Sequence, residues 1–552
     1  MPLCRHIDPE ELVKRLHDAH LTEGGKHVRK LMTTSHLTPY GTRYTSEVEV
    51  PKYRMPKGGA PADSVYQIIR DELDLDGKPN LNLASFVGTY MEPNATQLMV
   101  ENLSKNLADN DEYPAMMAIH ERCISILGNL WRVNEGEKAV GTATTGSSEA
   151  IHLGGLAMKR RWQEQRKAKG LDTTRPNIIM GANAQVALEK FARYFDVEAR
   201  ILPVSKESNY RLDPKLVEKN VDENTIGIFV IMGSTYTGHY EPVEEISKIL
   251  DQYQERTGID IPIHVDAASG GFVAPFTRAQ AGGPKWDFRL PRVKSINASG
   301  HKYGLVYAGV GWIIWRDESY LPEHLIFELH YLGGTERSFG LNFSRPGAHV
   351  VVQYYNLIHL GFQGYREIME NCLANARLLS KSLEATSWYT CVSEIHKPRS
   401  GVAGVVTGAK QAVGTESETS ADYIAGLPVV SFRLSDSFQE EFPQVRQESI
   451  SLLMRARQWI IPNYALPPNE NQTEILRVVV RESMSLDLLD RLISDLVSVT
   501  QTLIDKQDAD VSVLKHKNAG GAGMQSEAKY SQQPSSQGVV KRLEDGIHRS
   551  VC

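Results

Sequence analysis

The middle of the chain alternates short apolar runs with stretches of helical periodicity. The runs are NIIM at 177–180, IGIFVIM at 226–232, PIHVDA at 262–267 and VGWIIW at 310–315. Each run has the length of a buried strand, and the segments between them have the character of helices. Strands that alternate with helices form βαβ units, so we predict a mostly parallel sheet with helices on both faces.

The N-terminal part of the chain has a simpler pattern. Residues 1–61 are rich in polar residues and Pro, with one short helical pattern near 9–17, and we interpret them as an N-terminal arm. Apolar residues recur at helical spacing over 62–73, and 102–130 carries more helical pattern around a break at Pro114.

A second α/β pattern occupies the C-terminal part of the chain. Its predicted strands are 429–434 and 474–480, and its predicted helices are 364–385, 440–458 and 485–505. We therefore predict a large domain over 62–365 and a smaller C-terminal domain over 366–505. Within the smaller domain, 397–422 is rich in Gly, Ser, Thr and Ala and is predicted to be a mobile insertion, and the polar residues 506–552 are predicted to be a disordered tail.

Composition restricts the function and the compartment. The 552 residues include 61 Lys and Arg against 67 Asp and Glu, so no global basic field favours binding to nucleic acid. Five cysteines stand without CxxC or CxxH spacing, which favours neither a zinc site nor a disulfide framework and fits a reducing compartment. There is no apolar run of about 18 residues and no signal-peptide core, so we predict a cytoplasmic protein without a membrane partner.

The segment TATTGSSEA at 142–150 is the first candidate for chemistry. Small hydroxyl residues precede a predicted helix, whose free amides and positive dipole end suit a phosphate. Gly146, Ser147 and Ser148 form the candidate cradle. The alternative is an ordinary serine cap with Glu149 in the first helical turn.

The segment HVDAASGG at 264–271 is the second candidate. Period-two alternation places His264 and Asp266 on one face of a strand that ends where a cleft is expected. A metal site is one interpretation, but no third ligand stands at a suitable spacing. The competing interpretation is an acid that holds a protonated nitrogen of a cofactor, and a third is an Asp that caps the next turn.

The segment SINASGHKYGL at 295–305 places Lys302 beside His301 after a predicted strand. A solvated lysine is the ordinary alternative, but a lysine in such surroundings is suited to form a Schiff base with a carbonyl cofactor. An imine lysine, a buried acid and a phosphate cradle are the three groups that pyridoxal phosphate requires. Together, Gly146, Asp266 and Lys302 therefore indicate a pyridoxal-phosphate enzyme.

The strand EILRVVVRE at 474–482 carries the fourth candidate. Alternation places Arg477, Val479 and Arg481 on one face. A guanidinium can bind a carboxylate through two parallel hydrogen bonds, which favours a carboxylate site. The alternative is an edge strand that uses arginine for solubility.

Several blocks between about residues 62 and 505 resemble glutamate decarboxylases. They are NLASF, KNLADNDEYP, TTGSSEAIHLGGLAMK, TYTGHYE, HVDAASGGF, SGHKYGL, GWIIWRDE, YLGG and NFSRPG. They occur in the order of that family and close to its spacing. The resemblance implies pyridoxal-phosphate fold type I, which is aspartate aminotransferase-like, with a mostly parallel seven-stranded large domain and a smaller α/β domain. It also implies an active site at a dimer interface.

The resemblance implies a cofactor role for each matching residue. Lys302 is expected to hold pyridoxal 5′-phosphate as an internal aldimine, and Asp266 is expected to pair with the ring nitrogen. The phosphate is expected at Ser147, Ser148, His301 and, from the partner subunit, Ser344. The other expected cofactor contacts are Thr235 beside the ring, Gln185 above it, Ala268 beneath it, and Ser299.

The resemblance also implies the substrate. Arg477 matches the arginine that orients the α-carboxylate of glutamate. The positions around its side-chain carboxylate match Ser85, Phe86, Asn106 and Asp109. The implied reaction converts L-glutamate to 4-aminobutanoate (GABA) and CO2 through an aldimine and a quinonoid intermediate, in a homodimer or a larger homo-oligomer and without a metal. Lys302 and the hairpin near Tyr331 and Leu332 are expected to deliver the proton and exclude water.

The chain departs from the family pattern at three places. Segment 397–422 is longer than in bacterial members, and the two ends differ from theirs, so acid-dependent closure of the site is not expected. Plant members bind calmodulin through a C-terminal tail. Residues 506–552 contain no Trp or Phe and no basic amphipathic helix, so calmodulin is not an expected partner.

Three alternatives remain open at this point. One is a decarboxylase of the same fold that acts on aspartate, cysteine sulfinate or an aromatic amino acid. Another is a carbon–carbon lyase of phosphorylated sphingoid bases, although such enzymes commonly carry a membrane segment. The third is a non-catalytic scaffold protein, which would have no need of Lys302, Asp266 and the phosphate cradle together.

Overall fold

A computed structural model describes residues 55–329, 336–399 and 419–506. Most of the predicted arm, the helical pattern at 9–17, most of the predicted insertion and nearly all of the predicted tail lie outside these ranges. Residues 55–78 belong to a separate unit. In it, helix α1 (Ala62–Leu73) follows Pro61, and this helix confirms the apolar spacing over 62–73.

The rest of the described chain, from Pro79 onward, contains thirteen strands and ten helices. The strands are β1 (Val140–Thr144), β2 (Asn177–Gly181), β3 (Glu198–Leu202), β4 (Thr225–Ile231), β5 (Ile263–Asp266), β6 (Val293–Ser299), β7 (Gly311–Trp315), β8 (Phe327–Leu329), β9 (Glu336–Ser338), β10 (Tyr389–Cys391), β11 (Val429–Leu434), β12 (Asn463–Ala465) and β13 (Glu474–Val479). The helices are α2 (Pro93–Glu101), α3 (Pro114–Leu130), α4 (Ser147–Ala168), α5 (Val186–Tyr194), α6 (Pro214–Asn220), α7 (Val243–Thr257), α8 (Ala348–Ala385), α9 (Asp436–Glu441), α10 (Gln447–Ala456) and α11 (Leu486–Asp505).

The large sheet has seven strands in the order β1-β7-β6-β5-β4-β2-β3. Only β7 runs antiparallel to its neighbours. All seven residues of β4 are buried, as expected for a strand covered by helices on both faces. The predicted mostly parallel sheet is therefore confirmed, and the carboxyl ends of β4, β5 and β6 lie along one edge.

A smaller antiparallel sheet has the order β10-β11-β13-β12. Its buried apolar side chains form a cluster separate from the core of the large sheet, with contributions from α8, α10 and α11. Helix α8 crosses the predicted domain boundary at 365, because it begins at Ala348 and is interrupted only at Gly361, whose φ of 58° lies in the left-handed region. The boundary itself stays a prediction.

The apolar runs predicted the positions of strands well. Segments that mix apolar and polar residues were predicted poorly. Strands β2, β4, β5, β7, β11 and β13 confirm the predicted runs to within about two residues. The helical pattern over 102–113 was wrong, since α2 ends at Glu101 and α3 starts at Pro114. The predicted helix 440–458 is two shorter helices, α9 and α10. Strands β1 and β3 were missed, and no bounds were predicted for the strand before Lys302, which is β6, because polar residues interrupt their apolar pattern.

Helix α4 packs closely against its neighbours because it carries two glycines at the contacts. A Cβ built on Gly154 would lie 2.5 Å from Nδ1 of His264 in β5, and one built on Gly155 would lie 2.6 Å from the ring of Phe191 in α5. Gly154 therefore lets the helix that starts at the predicted phosphate cradle approach the strand that ends at Asp266.

We expect Gly154→Ala to destabilise the protein. Alanine in a helix normally gains about 1 kcal/mol over glycine, but overpacking a filled interior costs about 1–3 kcal/mol. Because His264 is fully buried, the cost should win by about 1 kcal/mol, measured by urea unfolding. Gly58→Ala is the control, since its added methyl would have no described neighbour within 4 Å. A more stable Gly154→Ala variant would contradict this packing.

Candidate active site

Asp266 and Lys302 meet at the carboxyl edge of the large sheet. Asp266 is the last residue of β5, and Lys302 lies three residues beyond the end of the adjacent parallel strand β6. Nζ of Lys302 lies 5.2 Å from the ring centroid of Phe86. The sequence prediction of an acid and a lysine at one strand edge is thus supported by the topology.

The carboxylate of Asp266 is buried and held in a fixed orientation. It is 4% exposed. Its Oδ1 accepts hydrogen bonds from Nδ2 of Asn297 at 2.9 Å and from the backbone N–H of Ala268 at 3.1 Å. Burial raises its pKa, while the Asn297 hydrogen bond, the charge of Lys302 and the Ala268 hydrogen bond oppose that rise. Such a carboxylate is suited to hold a protonated ring nitrogen.

His264 supports this carboxylate through Asn297. Its Nε2 lies 2.7 Å from Oδ1 of Asn297, and its Nδ1 lies 2.7 Å from Oγ of Ser295. Because the amide oxygen can only accept, Nε2 carries the proton and Nδ1 accepts from Ser295. Both ring nitrogens are therefore hydrogen-bonded within the chain, which favours the cofactor interpretation of Asp266 over the metal-site interpretation of His264 and Asp266.

The start of α4 forms the predicted anion cradle. Gly146 is the N-cap, and no side chain caps the helix. Ser147 and Ser299 form a hydrogen bond between their hydroxyls at 2.6 Å, and Ser148 is exposed. Glu149 instead accepts from the backbone and hydroxyl of Thr145, so the interpretation as an ordinary serine cap was wrong.

His301 lies beside this cradle. A Cβ built on Gly146 would lie 3.2 Å from Cε1 of His301, so glycine keeps the space between the helix start and the imidazole. Nδ1 of His301 is buried without a hydrogen-bond partner, and burial is the first cause that lowers its pKa to about 4. An orphaned ring nitrogen, two hydroxyls and an uncapped helix N-terminus together fit a phosphate group.

A cavity of about 610 Å³ opens at the same edge of the sheet. Its lining includes Gln185, Thr235 and Arg477 together with Asn183 and Tyr464. The side chain of Gln185 caps α5 by accepting from the backbone of Ala187 at 2.6 Å. The cavity has the size of a small-molecule site.

Arg477 is a buried cation in the middle of the small sheet. It is 1% exposed, and β13 lies between β11 and β12, so the edge-strand interpretation was wrong. Nη1 donates to the backbone oxygen of Thr235 at 2.9 Å, and Nη2 donates to that of Ala84. Its Nε has no partner, and among the described residues it forms no ion pair. A buried guanidinium in this state favours an added anion.

Two aromatic rings enclose the Arg477 guanidinium. Its Cζ lies 5.2 Å from the ring centroid of Phe86 and 5.6 Å from that of Tyr464. Phe86 is buried, and the neighbouring Ser85 accepts a hydrogen bond from the backbone of Val87 at 3.1 Å. The ring of Phe86 therefore lies beside both the amine of Lys302 and the guanidinium of Arg477.

Three predicted site residues form a second, separate cluster. Nδ2 of Asn106 donates to Oγ of Ser344 at 3.2 Å, and its Oδ1 accepts from the backbone of Arg345 at 3.0 Å. Asp109 accepts from the backbone of Glu112 at 2.9 Å. Ser344 is exposed and Asn106 is half-buried, so this cluster faces outward from the chain that carries it.

The sequence analysis missed the supporting residues. Asn297 was not singled out, although the alternation of Ser295, Asn297 and Ser299 along β6 marks one polar face. Tyr464 carried no signal of its own, because its neighbours Pro462 and Leu466 suggest only a strand. Their roles depend on contacts between segments that are distant in sequence.

One group outside the cavity has the residue types of a metal site. Ligand atoms of Glu384, Cys391 and His396 lie within 4.8 Å of one another. The carboxylate of Glu384 already contacts Nε2 of His396 at 3.1 Å and the backbone N–H of Cys391 at 3.2 Å. Burial raises the pKa of the Cys391 thiol, which keeps it protonated. These contacts are hydrogen bonds within the chain, and the expectation of no metal stays a prediction.

Comparison with known proteins places this site in a family. The pyridoxal-dependent decarboxylase conserved domain matches residues 51–400. A glutamate decarboxylase of Saccharomyces cerevisiae is 50% identical over 82% of this chain and 79% of its own, and glutamate decarboxylase 2 of Arabidopsis thaliana is 45% identical over 84% and 87%. The solved glutamate decarboxylase of Lactobacillus brevis is 38% identical, with a TM-score of 0.75 over 86% of this chain and all of its own.

The chain belongs to the pyridoxal-dependent decarboxylase family. Within it, the chain groups with the glutamate decarboxylases, and it is a carboxy-lyase that depends on pyridoxal phosphate. The acid, lysine and anion cradle described above fit this cofactor. Among the described helices, none is long and apolar enough to cross a membrane.

The burial of His264 predicts a specific acid sensitivity. Burial lowers the pKa of His264 to about 4 from the usual 6.5. As the pH falls, His264 therefore binds a proton at a higher pH in the unfolded chain than in the folded chain. The free energy of unfolding should therefore fall between pH 6.5 and about 4, by roughly 3 kcal/mol from this residue. We expect His264→Gln to lose that much less over this range in urea unfolding of the cofactor-free protein.

The exposed His359 provides the control for this test. His359→Gln should keep the wild-type pH dependence, because its ring is exposed. Identical pH profiles for the wild type and His264→Gln would contradict the neutral, hydrogen-bonded state of His264.

Proposed function

We propose that the chain converts L-glutamate to 4-aminobutanoate and CO2 at the site between Lys302 and Arg477. The observation that carries this proposal is the Arg477 guanidinium, which is buried beside the family's lysine without an anion among the described residues. A substrate carboxylate would supply that anion. The identity with glutamate decarboxylases supports glutamate as its source.

The residues that would hold the cofactor lie along one strand edge. Lys302 would bind its aldehyde carbon, Asp266 its ring nitrogen, and Ser147, Ser148 and His301 its phosphate. The remaining proposed contacts are Gln185, Thr235, Ala268 and Ser299. When bound, pyridoxal phosphate supplies an electron sink for the bond that breaks.

The protein's own groups would select which bond breaks. Arg477 would fix the α-carboxylate, because its guanidinium is held by the backbone of Thr235 and Ala84. Phe86 and Tyr464 would exclude water from this carboxylate, which strengthens its attraction to Arg477. After CO2 leaves, Cα needs a proton, and Lys302 is the proposed donor. Tyr331 and Leu332 lie outside the described residues, although β8 and β9 flank them as a hairpin.

The second cluster is proposed to complete the partner subunit's site. Asn106 is hydrogen-bonded to Ser344, which supports one site for the two side chains. If Ser344 binds the partner's cofactor phosphate, Asn106 and its neighbour Asp109 would reach the partner's substrate, while Ser85 and Phe86 serve their own chain. This assignment refines the expectation that all four residues surround one carboxylate.

A homodimer is also supported by an exposed apolar surface. Val100 in α2, the following Leu103, and Ile358 and Phe362 in α8 are exposed, and α2 packs against α8. Apolar surfaces of this kind mark subunit interfaces in soluble proteins. A larger assembly stays a prediction.

A cytoplasmic location is the other part of this proposal. Cys123, Cys372 and Cys391 are buried free thiols, which fits a reducing compartment. The residues 507–552, on which the expectation against calmodulin depends, lie outside the described part of the chain.

Substrate preference and Lys302 provide the direct test of function. We expect CO2 release from L-glutamate with kcat/KM roughly 100-fold or more above aspartate, cysteine sulfinate and aromatic amino acids. Lys302→Ala should lower turnover by a factor on the order of 10³ or more, because it removes the amine proposed to bind the cofactor. It should also lose the visible absorbance band that borohydride removes.

Lys294→Ala is the matched control, because Lys294 lies on the same strand β6 but contacts the backbone of Pro291. It should keep wild-type turnover. Preference for another substrate would reject the substrate assignment, and an active Lys302→Ala would reject the proposed role of Lys302.

The shared site predicts that activity depends on dimerisation. We expect specific activity and mass by light scattering to fall together on dilution, with saturating pyridoxal phosphate present. The reason is that a single chain would lack Ser344 and Asn106 of its partner in its own site. A fully active monomer of 61.6 kDa would reject the shared site and the role given to Ser344.

A further inference from the structure

Arg481 is a second buried arginine whose contacts converge on one segment. It lies two residues beyond the end of β13 and is 3% exposed. Nη1 donates to the backbone oxygen of Val87 at 2.6 Å. Nη2 donates to those of Pro79 at 3.0 Å and Asn82 at 2.9 Å. One guanidinium thus holds both ends of the segment 79–87.

The geometry of these three bonds requires a guanidinium. Its nitrogens form a rigid fork that can reach carbonyl groups in different directions, whereas a lysine offers its donors from a single nitrogen. Among the described residues Arg481 forms no ion pair within 4.0 Å. Its charge is therefore directed at the backbone of this segment.

The segment held by Arg481 carries two proposed substrate contacts. Phe86 lies 5.2 Å from Nζ of Lys302 and 5.2 Å from Cζ of Arg477, measured to its ring centroid. Local turns fold the segment, since Asn82 accepts from the backbone of Ala84 and Ser85 from that of Val87. Local turns fix shape but not placement, so the position of Ser85 and Phe86 depends on anchors outside the segment.

We propose that Arg481 is a positioning residue of the substrate site, which places Ser85 and Phe86 through the carbonyl groups of residues 79–87. This inference rests on the proposed function, because it takes the pocket beside Lys302 and Arg477 as the binding site for L-glutamate. Arg481 touches neither substrate nor cofactor. Its effect on the reaction is transmitted through the backbone of the segment.

The competing explanation is that Arg481 only stabilises the fold. Loss of a purely structural contact lowers the melting temperature and the folded fraction, but leaves the KM of the folded molecules unchanged. Loss of a positioning contact also changes KM. A shift of about 1 Å in the position of a site residue can lower kcat/KM by on the order of 100-fold. The two explanations therefore differ in KM rather than in stability.

The test compares Arg481→Lys with Arg292→Lys in the holoenzyme. Arg292 is equally buried, at 4% exposure, but pairs with Asp251 and Asp260 away from the cavity. Both variants should melt at lower temperature. Only Arg481→Lys should raise KM for L-glutamate, by about 10- to 100-fold, with kcat lowered less than about threefold.

Hydrogen exchange supplies a readout that does not depend on activity. The amides of Gly88 and Thr89 bond to the backbone of His301 and to Oε1 of Glu482. We expect these amides to exchange at least about tenfold faster in Arg481→Lys and at the wild-type rate in Arg292→Lys. Unchanged exchange and unchanged KM in a folded Arg481→Lys variant would overturn the proposal.

A milder variant keeps the proposal testable if Arg481→Lys does not fold. Thr89→Val removes the hydrogen bond from Thr89 to Oγ of Ser483 at 2.9 Å, which anchors the same segment at its end. It should raise KM about threefold, and an unchanged KM would count against anchored positioning. A wild-type enzyme inactive on L-glutamate would reject the proposed function instead, and hydrogen exchange would still test the anchor.

Discussion

The burial of the Arg477 charge is the constraint on which the site depends. A guanidinium taken out of water loses its hydration, and two backbone carbonyl groups replace only part of it. The remaining Nε, together with Nδ1 of His301, is buried without a partner. Each unsatisfied buried group costs about 1–3 kcal/mol. The ligand-free protein therefore holds a site whose polar groups are complete only when anions occupy it.

Because these buried polar groups lack partners, ligand binding is linked to the stability of the folded chain. A ligand that binds only the folded chain stabilises it by about 2.7 kcal/mol at a concentration 100 times its Kd. The proposed phosphate cradle around Ser147 and the guanidinium of Arg477 are attached to different sheets, so at the proposed site the cofactor and the substrate would satisfy polar groups in both halves of the large unit. Binding at this edge would thus strengthen the connection between the two sheets.

The sequence was sufficient for six strands, including the buried centre of the large sheet, and for the two charged residues Asp266 and Lys302. Continuous apolar runs predicted β4 and β7, because strands buried on both faces leave no room for polar residues. Asp266 was found because it follows such a run, and Lys302 because it lies in a short segment between apolar runs. The bounds of β6 were not predicted for the converse reason: Asn297 and Ser299 are polar, and their polarity hides the strand.

Contacts between residues that are distant in sequence could not be predicted from the sequence. The sequence placed Arg477 and Arg481 on one face, but it could not separate their roles. In the structure Arg477 faces the cavity, whereas Arg481 holds the backbone of residues 79–87. The pairing of Asn106 with Ser344 likewise joins positions 238 residues apart. This contact supports the proposal that the two serve the same site.

The loop that follows β4 explains how the two sheets share one site. Residues 234–241 leave the large sheet, yet the backbone of Thr235 accepts from Arg477 and that of Tyr236 accepts from Ser431, both in the small sheet. His239 adds a contact of 3.3 Å to Glu394. The pKa of Glu394 is lowered to about 2, first because of this hydrogen bond, so the carboxylate stays charged well into the acid range.

Through these contacts, β13 and the residues just beyond it support the proposed contacts of both the cofactor and the substrate. Arg477 fixes the loop beside the proposed cofactor contacts, and Arg481, four residues later, fixes the segment with the proposed substrate contacts. Because both arginines extend from one short stretch of backbone, a displacement of that stretch would move both sets of contacts together. With the proposed contacts, the relative position of cofactor and substrate would thus be less sensitive to motion of the small sheet than either position alone. This arrangement suits a reaction whose outcome depends on which substrate bond is aligned with the cofactor.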